Sequence, residues 1–218
     1  PDNNGVSLNT LWMLSQGDRM FKGLLNNMTE MLGMSTHLPL EWCTVDTYPT
    51  LKRDDLSTHD PANFNLTANH NTFVNFMHTS IMWRLSAYLS TKGYIKFNTT
   101  HEDIVDPTNT KSLIREFYNS HNAHHSKNRD LITTAINIRN PYGTLNHEFI
   151  ELVMDQYKVP DPIKNYILNF YSNLKVRVLV NGEYTDYFQM ERGLLHGDDM
   201  SNIVFIMCIT FINNILAD

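Results

Sequence analysis

Two clusters in the second half of the chain carry residue types that metal-assisted or acid–base chemistry would use. The first is Ala135-Ile136-Asn137-Ile138-Arg139-Asn140-Pro141-Tyr142-Gly143-Thr144-Leu145-Asn146-His147, in which one polar residue, Asn137, interrupts an apolar run. The second is Arg192-Gly193-Leu194-Leu195-His196-Gly197-Asp198-Asp199-Met200-Ser201, where two glycines bracket an imidazole and two carboxylates follow. Carboxylates hold divalent cations because an anionic oxygen offers charge as well as a lone pair, whereas an amide offers only its carbonyl dipole. Asn137 carries a poor ligand's side chain, and a hydrogen-bonded core amide is its plain reading. A third group, His121, His124 and His125, has no cysteine nearby and no fourth ligand at helical spacing. It reads as a solvated polar loop without a metal.

These residues need elements to position them. Leu131 to Ile138 reads as a buried strand, and Asn140-Pro141-Tyr142-Gly143 as a kinked turn. A helix follows from Asn146 to Tyr157, with Phe149, Ile150, Val153 and Met154 inward. Pro160 and Pro162 separate it from a helix from Ile163 to Tyr171. Val176, Val178 and Val180 alternate with Arg177 and Leu179, and Asn181-Gly182 favours a type I′ hairpin turn. Tyr184, Thr185, Tyr187 and Phe188 make the return strand. Gly193 to Asp199 is a loop, and Met200 to Leu216 an apolar closing helix that Ser201 helps to cap.

Upstream, apolar positions recur at three and four from Leu11 to Met34, predicting one or two amphipathic helices broken near Gly17. Their Met-rich stripe suits core packing or a partner-binding face. His37 to Pro61 reads as irregular, with Pro39, Pro49 and Pro61, a short strand from Trp42 to Val45 and a turn at Asp60-Pro61. Asn69 to Tyr88 is a helix ending before Gly93, and Tyr94 to Asn98 a short strand. Thr110 to Ser120 is a helix with Leu113, Ile114 and Phe117 on one face. Helices packed on a small antiparallel sheet make the fold class α+β.

The 218 residues and 25.3 kDa suffice for a sizeable core, and 42% hydrophobic with 18% charged residues describes a folded chain. A formal charge of −6 is the wrong sign for affinity built on neutralising phosphates, and the longest basic run is Lys52-Arg53. Cys43 and Cys208 lie far apart and read as free buried thiols of a reducing, intracellular compartment. No apolar run approaches the roughly 18 residues of a membrane span. The chain opens at Pro1 without a signal-peptide pattern and reads as a fragment or a processed product.

The order strand, turn, two helices, hairpin, Gly-rich loop and helix resembles the fingers and palm of reverse transcriptases of the non-LTR retrotransposon type. Ile136-Asn137-Ile138, Pro141-Tyr142-Gly143 and His147 stand where that family has apolar-Asp-apolar, then Ala, an aromatic, Asp or Gly, and a His. Gly193, Gly197, Asp198 and Ser201 match the family motif Gly-x-x-Gln-Gly-Asp-Pro-x-Ser. Asp60-Pro61-Ala62-Asn63-Phe64-Asn65-Leu66-Thr67 is similar to the fingers segment Asp-Pro-x-Asn-Tyr-Arg-Pro-Ile, and Ile81-Met82-Trp83-Arg84-Leu85 to the helix after it. The resemblance divides the chain into an N-terminal helical extension (1–40), a fingers-like region (41–130) and a partial palm-like region (131–218).

The departures fall where that family does chemistry. Asn137 replaces the metal-binding Asp, Asn65 the Arg facing the triphosphate, His196 the Gln and Asp199 the Pro. The chain ends before the aromatic-Ala-Asp-Asp hairpin and the thumb. Tyr142, Gly193, Gly197, Asp198 and Ser201 are then remnants of a nucleotide pocket, with Tyr142 packed against the sheet and His147 fixing the turn-to-helix junction. The resemblance implies a catalytically inactive domain with no metal or other cofactor. Its place is as an interaction or structural component of a larger assembly, with protein partners and RNA as a candidate component. Two alternatives stay open: the N-terminal part of an active, Mg²⁺-dependent RNA-directed DNA polymerase, and a nucleic-acid-binding module without chemistry.

Overall fold

A computed structural model describes residues 38–95, 110–127 and 140–217 and the isolated positions 13, 17, 19, 20, 22, 23, 27, 130, 132 and 138. For residues 110–114, 116 and 217 only the backbone is described. The sheet is organised around β1 (Thr44–Leu51), which runs through Pro49. On one side β1 pairs antiparallel with β2 (Phe64–Asn69), from Asp46↔Asn69 to Leu51↔Phe64. On the other it pairs in parallel with β3 (Lys175–Val180), but only from Thr44↔Lys175 to Thr47↔Val178. Pro49 lies beyond the end of that parallel ladder, so its missing N–H is not needed there. This corrects the expectation of an irregular segment around Pro49. The sheet is also mixed rather than antiparallel, because the long helical connection between β1 and β3 permits a parallel crossover.

Asn181 and Gly182 take φ of 52° and 87°, the two positive values a type I′ turn requires. The return strand comes in two pieces, β4 (Glu183–Tyr184) and β5 (Phe188–Gln189), both paired with β3. Between them the Thr185 hydroxyl accepts the Val178 N–H at 3.0 Å. Asp46 and Arg177, opposite each other in the parallel register, join through contacts of 2.6 and 3.1 Å, and the guanidinium lies 4.0 Å from the Tyr184 ring centroid.

Six α-helices can be followed from end to end among the described residues. α1 (Thr72–Thr91) starts where Asn71 Oδ1 accepts the Phe73 N–H at 2.8 Å. α2 spans Thr110–Ser126, and the single turn α3 spans Pro141–Thr144. α4 (His147–Gln156) is capped by Asn146, and α5 (Asp161–Asn173) takes Pro162 into its first turn, where a missing N–H costs nothing. α6 (Asp199–Ala217) closes the fold. One core joins Val45 and Val176 of the sheet to Leu85 and Leu89 of α1, Val153 of α4, Phe170 of α5 and Val204 and Met207 of α6. Strands from both 41–130 and 131–218 share this sheet and core. The chain is therefore α+β with a small mixed sheet.

Several expectations change. His121, His124 and His125 lie on α2 rather than in a loop, since no Gly or Pro halts the helix. Tyr94 and Ile95 form a bend rather than a strand, and Gly17 is helical rather than a break. Ile132 and Ile138 carry no strand and are 93% and 45% exposed, unlike residues of a buried strand. The rest of that segment, Asn137 included, lies outside the described residues, as do most of the positions from Leu11 to Met34 and the side chains of Leu113 and Ile114. Asp199–Leu216 of α6 is the one described helix long and apolar enough to cross a membrane by length and composition, a test that the core helix of a soluble protein also passes, and a third of that stretch is buried inside the fold.

Candidate functional site

The turn before α4 and the Gly-rich loop before α6 are clamped face to face. Asn140 takes a left-handed φ of 48° and Pro141 opens α3. Gly193 N–H then donates to the Leu145 carbonyl at 2.7 Å and Leu194 N–H to the Tyr142 carbonyl at 2.8 Å. His147 Nε2 donates to the Gly193 carbonyl at 2.9 Å, which ties the start of α4 to the loop rather than to the turn alone. Gly193 has φ +91°, and a Cβ there would stand 3.0 Å from both Cα and O of Gly143. Tyr142 stacks between His196 (centroids 4.6 Å apart) and Phe205 of α6 (4.4 Å), and its hydroxyl donates to Asn202 Oδ1 at 2.9 Å. It packs between loop and helix, not on the sheet, because the clamp carries the turn over α6.

Asp198 is fully buried and is the true cap of α6. Its Oδ2 accepts the Ser201 N–H at 2.8 Å and the Ser201 hydroxyl at 2.7 Å, and Tyr171 O–H donates to Ser201 Oγ at 2.8 Å. Ser201 therefore sits in the first turn as a donor to the cap, not as the cap, because the helix begins one residue earlier than its apolar run. Asp198 Oδ1 accepts from His78 Nδ1 at 2.6 Å, and His70 Nε2 lies 3.4 Å from the same oxygen. That last contact is within ion-pair range but lacks hydrogen-bond geometry, so both His70 nitrogens and His78 Nε2 have no hydrogen-bond partner. Burial opposes the Asp198 charge, yet attraction and hydrogen bonding to His78, with His70 and Ser201 adding, hold the carboxyl below its usual range. Burial pushes the His70 imidazole down to about 4, with the Asp198 charge opposing and His78 assisting.

Beside this network lies a cleft of about 400 Å³. Asn65, Asn140 and His196 supply polar groups to its wall, and Phe64, Leu66 and Met190 supply apolar surface. No carboxylate, lysine or arginine is among its described lining residues. His196 is held there by its carbonyl, which accepts the Ala68 N–H at 2.8 Å and forms a one-residue parallel bridge to Thr67 of β2. Burial, then the Lys52 charge, lower the His196 pKa. Lys52 Nζ itself donates to the Ala62 carbonyl at 2.8 Å. Gly197, at φ +81°, passes so close to β2 that a Cβ would stand 2.9 Å from Thr67 Cγ2.

Tyr142, Gly193, His196, Gly197, Asp198 and Ser201 thus come together, and Asn65 lines the same cleft as His196. Asp199 turns away and accepts the Thr79 hydroxyl at 2.7 Å. Sequence reasoning missed His70 and His78. The available signal was His78 itself, a polar residue one position from Met77 and in helical phase with the buried Ile81, Met82 and Leu85. No protein-family model and no curated protein matches the chain.

Proposed function

We propose that the chain is a reverse-transcriptase-like domain without polymerase chemistry, serving as an interaction or structural component of a larger assembly. The observation that carries this reading is Asn137, an amide where the resembled family keeps its metal-binding Asp, and Asp198 offers no open substitute, being closed to solvent and bonded to His78 and Ser201. In-line phosphoryl transfer by two metal ions needs a set of carboxylates open to the substrate. Among the described residues, the one group of His, Cys, Asp or Glu close enough to share an ion contains a single carboxylate, and that group is buried. The neighbouring cleft is neutral and largely apolar, which suits a protein segment better than a phosphodiester backbone.

The test is primer extension by the chain with Mg²⁺ or Mn²⁺, paired with binding of a template–primer duplex between roughly 50 and 200 mM salt. The expected result is no template-dependent synthesis and no salt-sensitive binding. Synthesis would return the chain to the polymerases, and steeply salt-dependent binding would make it a nucleic-acid-binding module.

A further inference from the structure

His70, His78 and Asp198 meet from three places in the fold: the turn after β2, the second turn of α1 and the loop before α6. Each offers one ligand atom, and all three atoms lie within 4.8 Å of one another. The side chains of His70 and Asp198 are 1% and 0% exposed. Both His70 nitrogens and His78 Nε2 have no hydrogen-bond partner. Leaving a buried polar group unpaired costs about 1–3 kcal/mol, so a protein that places an imidazole here without a partner has a cost to offset. The pocket around the histidines is aromatic: the Phe170 ring stands edge-on to His78 at 4.6 Å and Tyr166 does so at 5.8 Å.

We propose that His70, His78 and Asp198 bind one zinc-class divalent cation, which fastens the end of β2, α1 and the Gly-rich loop to one another. Two neutral imidazoles and one carboxylate form the N₂O donor set that suits Zn²⁺, whereas Mg²⁺ and Ca²⁺ take oxygen ligands. Zinc at its usual bond lengths holds neighbouring tetrahedral ligand atoms about 3.3 Å apart. The His70 Nε2 to Asp198 Oδ1 separation of 3.4 Å already meets this. The 2.6 Å His78 to Asp198 contact opens by about 0.7 Å as the Nδ1 proton is released, the imidazole takes up its Nε2–H tautomer from solvent during folding, and the hydrogen bond gives way to two metal bonds. Three protein ligands leave a fourth position to water, and the Tyr166 hydroxyl is a further buried oxygen with no hydrogen-bond partner beside His78. Because the site is closed to solvent, the cation enters with folding and stabilises the folded chain. The inference shares Asp198 with the proposed function but is read out by metal content and zinc-dependent melting, whereas that function is tested by primer extension.

The test uses the untagged full chain, dialysed free of metal and reconstituted with Zn²⁺ or Co²⁺. The expected result is about one equivalent of zinc per chain by elemental analysis, and the visible absorption of low-coordinate cobalt in the Co²⁺ form. Thermal melts should fall on chelation and recover with Zn²⁺ but not with Mg²⁺. The stacked His121 and His125 rings on α2 are one turn apart and could hold zinc at the surface, so His121→Ala with His125→Ala serves as the control. His70→Phe, which keeps an aromatic ring and removes the ligand, should weaken zinc binding at least about tenfold while the α2 double variant leaves it intact. The inference is overturned if the wild type takes up no stoichiometric zinc and its melt ignores both chelator and metal. Loss of zinc in the α2 double variant with retention in His70→Phe overturns it as well. Should His70→Phe fail to fold, the metal content and the zinc-dependent melt of the wild type and the α2 variant decide alone.

Discussion

Replacing Asp198 with Asn keeps the shape of the buried cap and removes its charge. In the native chain one carboxylate oxygen accepts twice from Ser201, at 2.8 and 2.7 Å, and the other accepts from His78 at 2.6 Å. An amide has one accepting oxygen and an NH₂ group that must face an acceptor. If the oxygen stays with Ser201, the NH₂ group faces His78, which has to change tautomer to accept from it. If the oxygen stays with His78, the NH₂ group abuts the Ser201 N–H. The first arrangement costs less, yet it still turns charge-assisted bonds worth about 1.5–3 kcal/mol each into neutral ones worth about 1. The summed loss is about 3 kcal/mol, at the low end of what breaking a buried charged pair costs. With a urea m-value near 3 kcal/mol/M, Asp198→Asn should lower the unfolding midpoint by about 1 M. The assay is urea denaturation at pH 7 with a chelator present, followed by circular dichroism, so that no bound ion contributes. A loss under about 1 kcal/mol would refute the claim that Asp198 holds loop, α1 and α6 together.

Other perturbations follow from the same geometry. Gly182 and Gly193 both have positive φ, but a Cβ meets nothing within 4 Å at Gly182 and meets Gly143 backbone at Gly193. Gly182→Ala should cost about 1 kcal/mol and Gly193→Ala at least about 2–3, compared by thermal melts. His70 has its pKa lowered from 6.5 to about 4, so between those values the unfolded chain takes up a proton that the folded chain refuses. Stability of the metal-free protein should be complete above pH 6.5 and fall by about 3 kcal/mol as the pH drops to 4, with the slope abolished in His70→Phe. Asp198, whose folded carboxyl is also depressed, adds a loss at still lower pH. Burial pushes the thiols of Cys43 and Cys208 up to about 11 and about 12, so a thiol reagent at pH 8 should react with them only after urea unfolds the chain.

Local signals made much of this chain legible. The three-and-four spacing of Ile150, Val153 and Met154 foretold α4, Asn181-Gly182 foretold the hairpin, and Gly93 foretold the end of α1, because each depends on backbone conformation within a few residues. The Gly-rich loop was also readable, since Gly193 and Gly197 stand where only glycine tolerates the φ and the close approach. What no window could show was the pairing of β1 with β3, the passage of a strand through Pro49, or the neutral cleft that Asn65 and His196 both line. These depend on which edges and faces meet after folding. Asp198 makes the same point most sharply. By sequence it was a pocket remnant beside Ser201, and its decisive partner, His78, lies 120 residues away. Residue type supplied the carboxylate and the imidazole. Only packing of α1 against the start of α6 excluded water from both, which made a surface-like acid into a buried cap with a ligand's geometry.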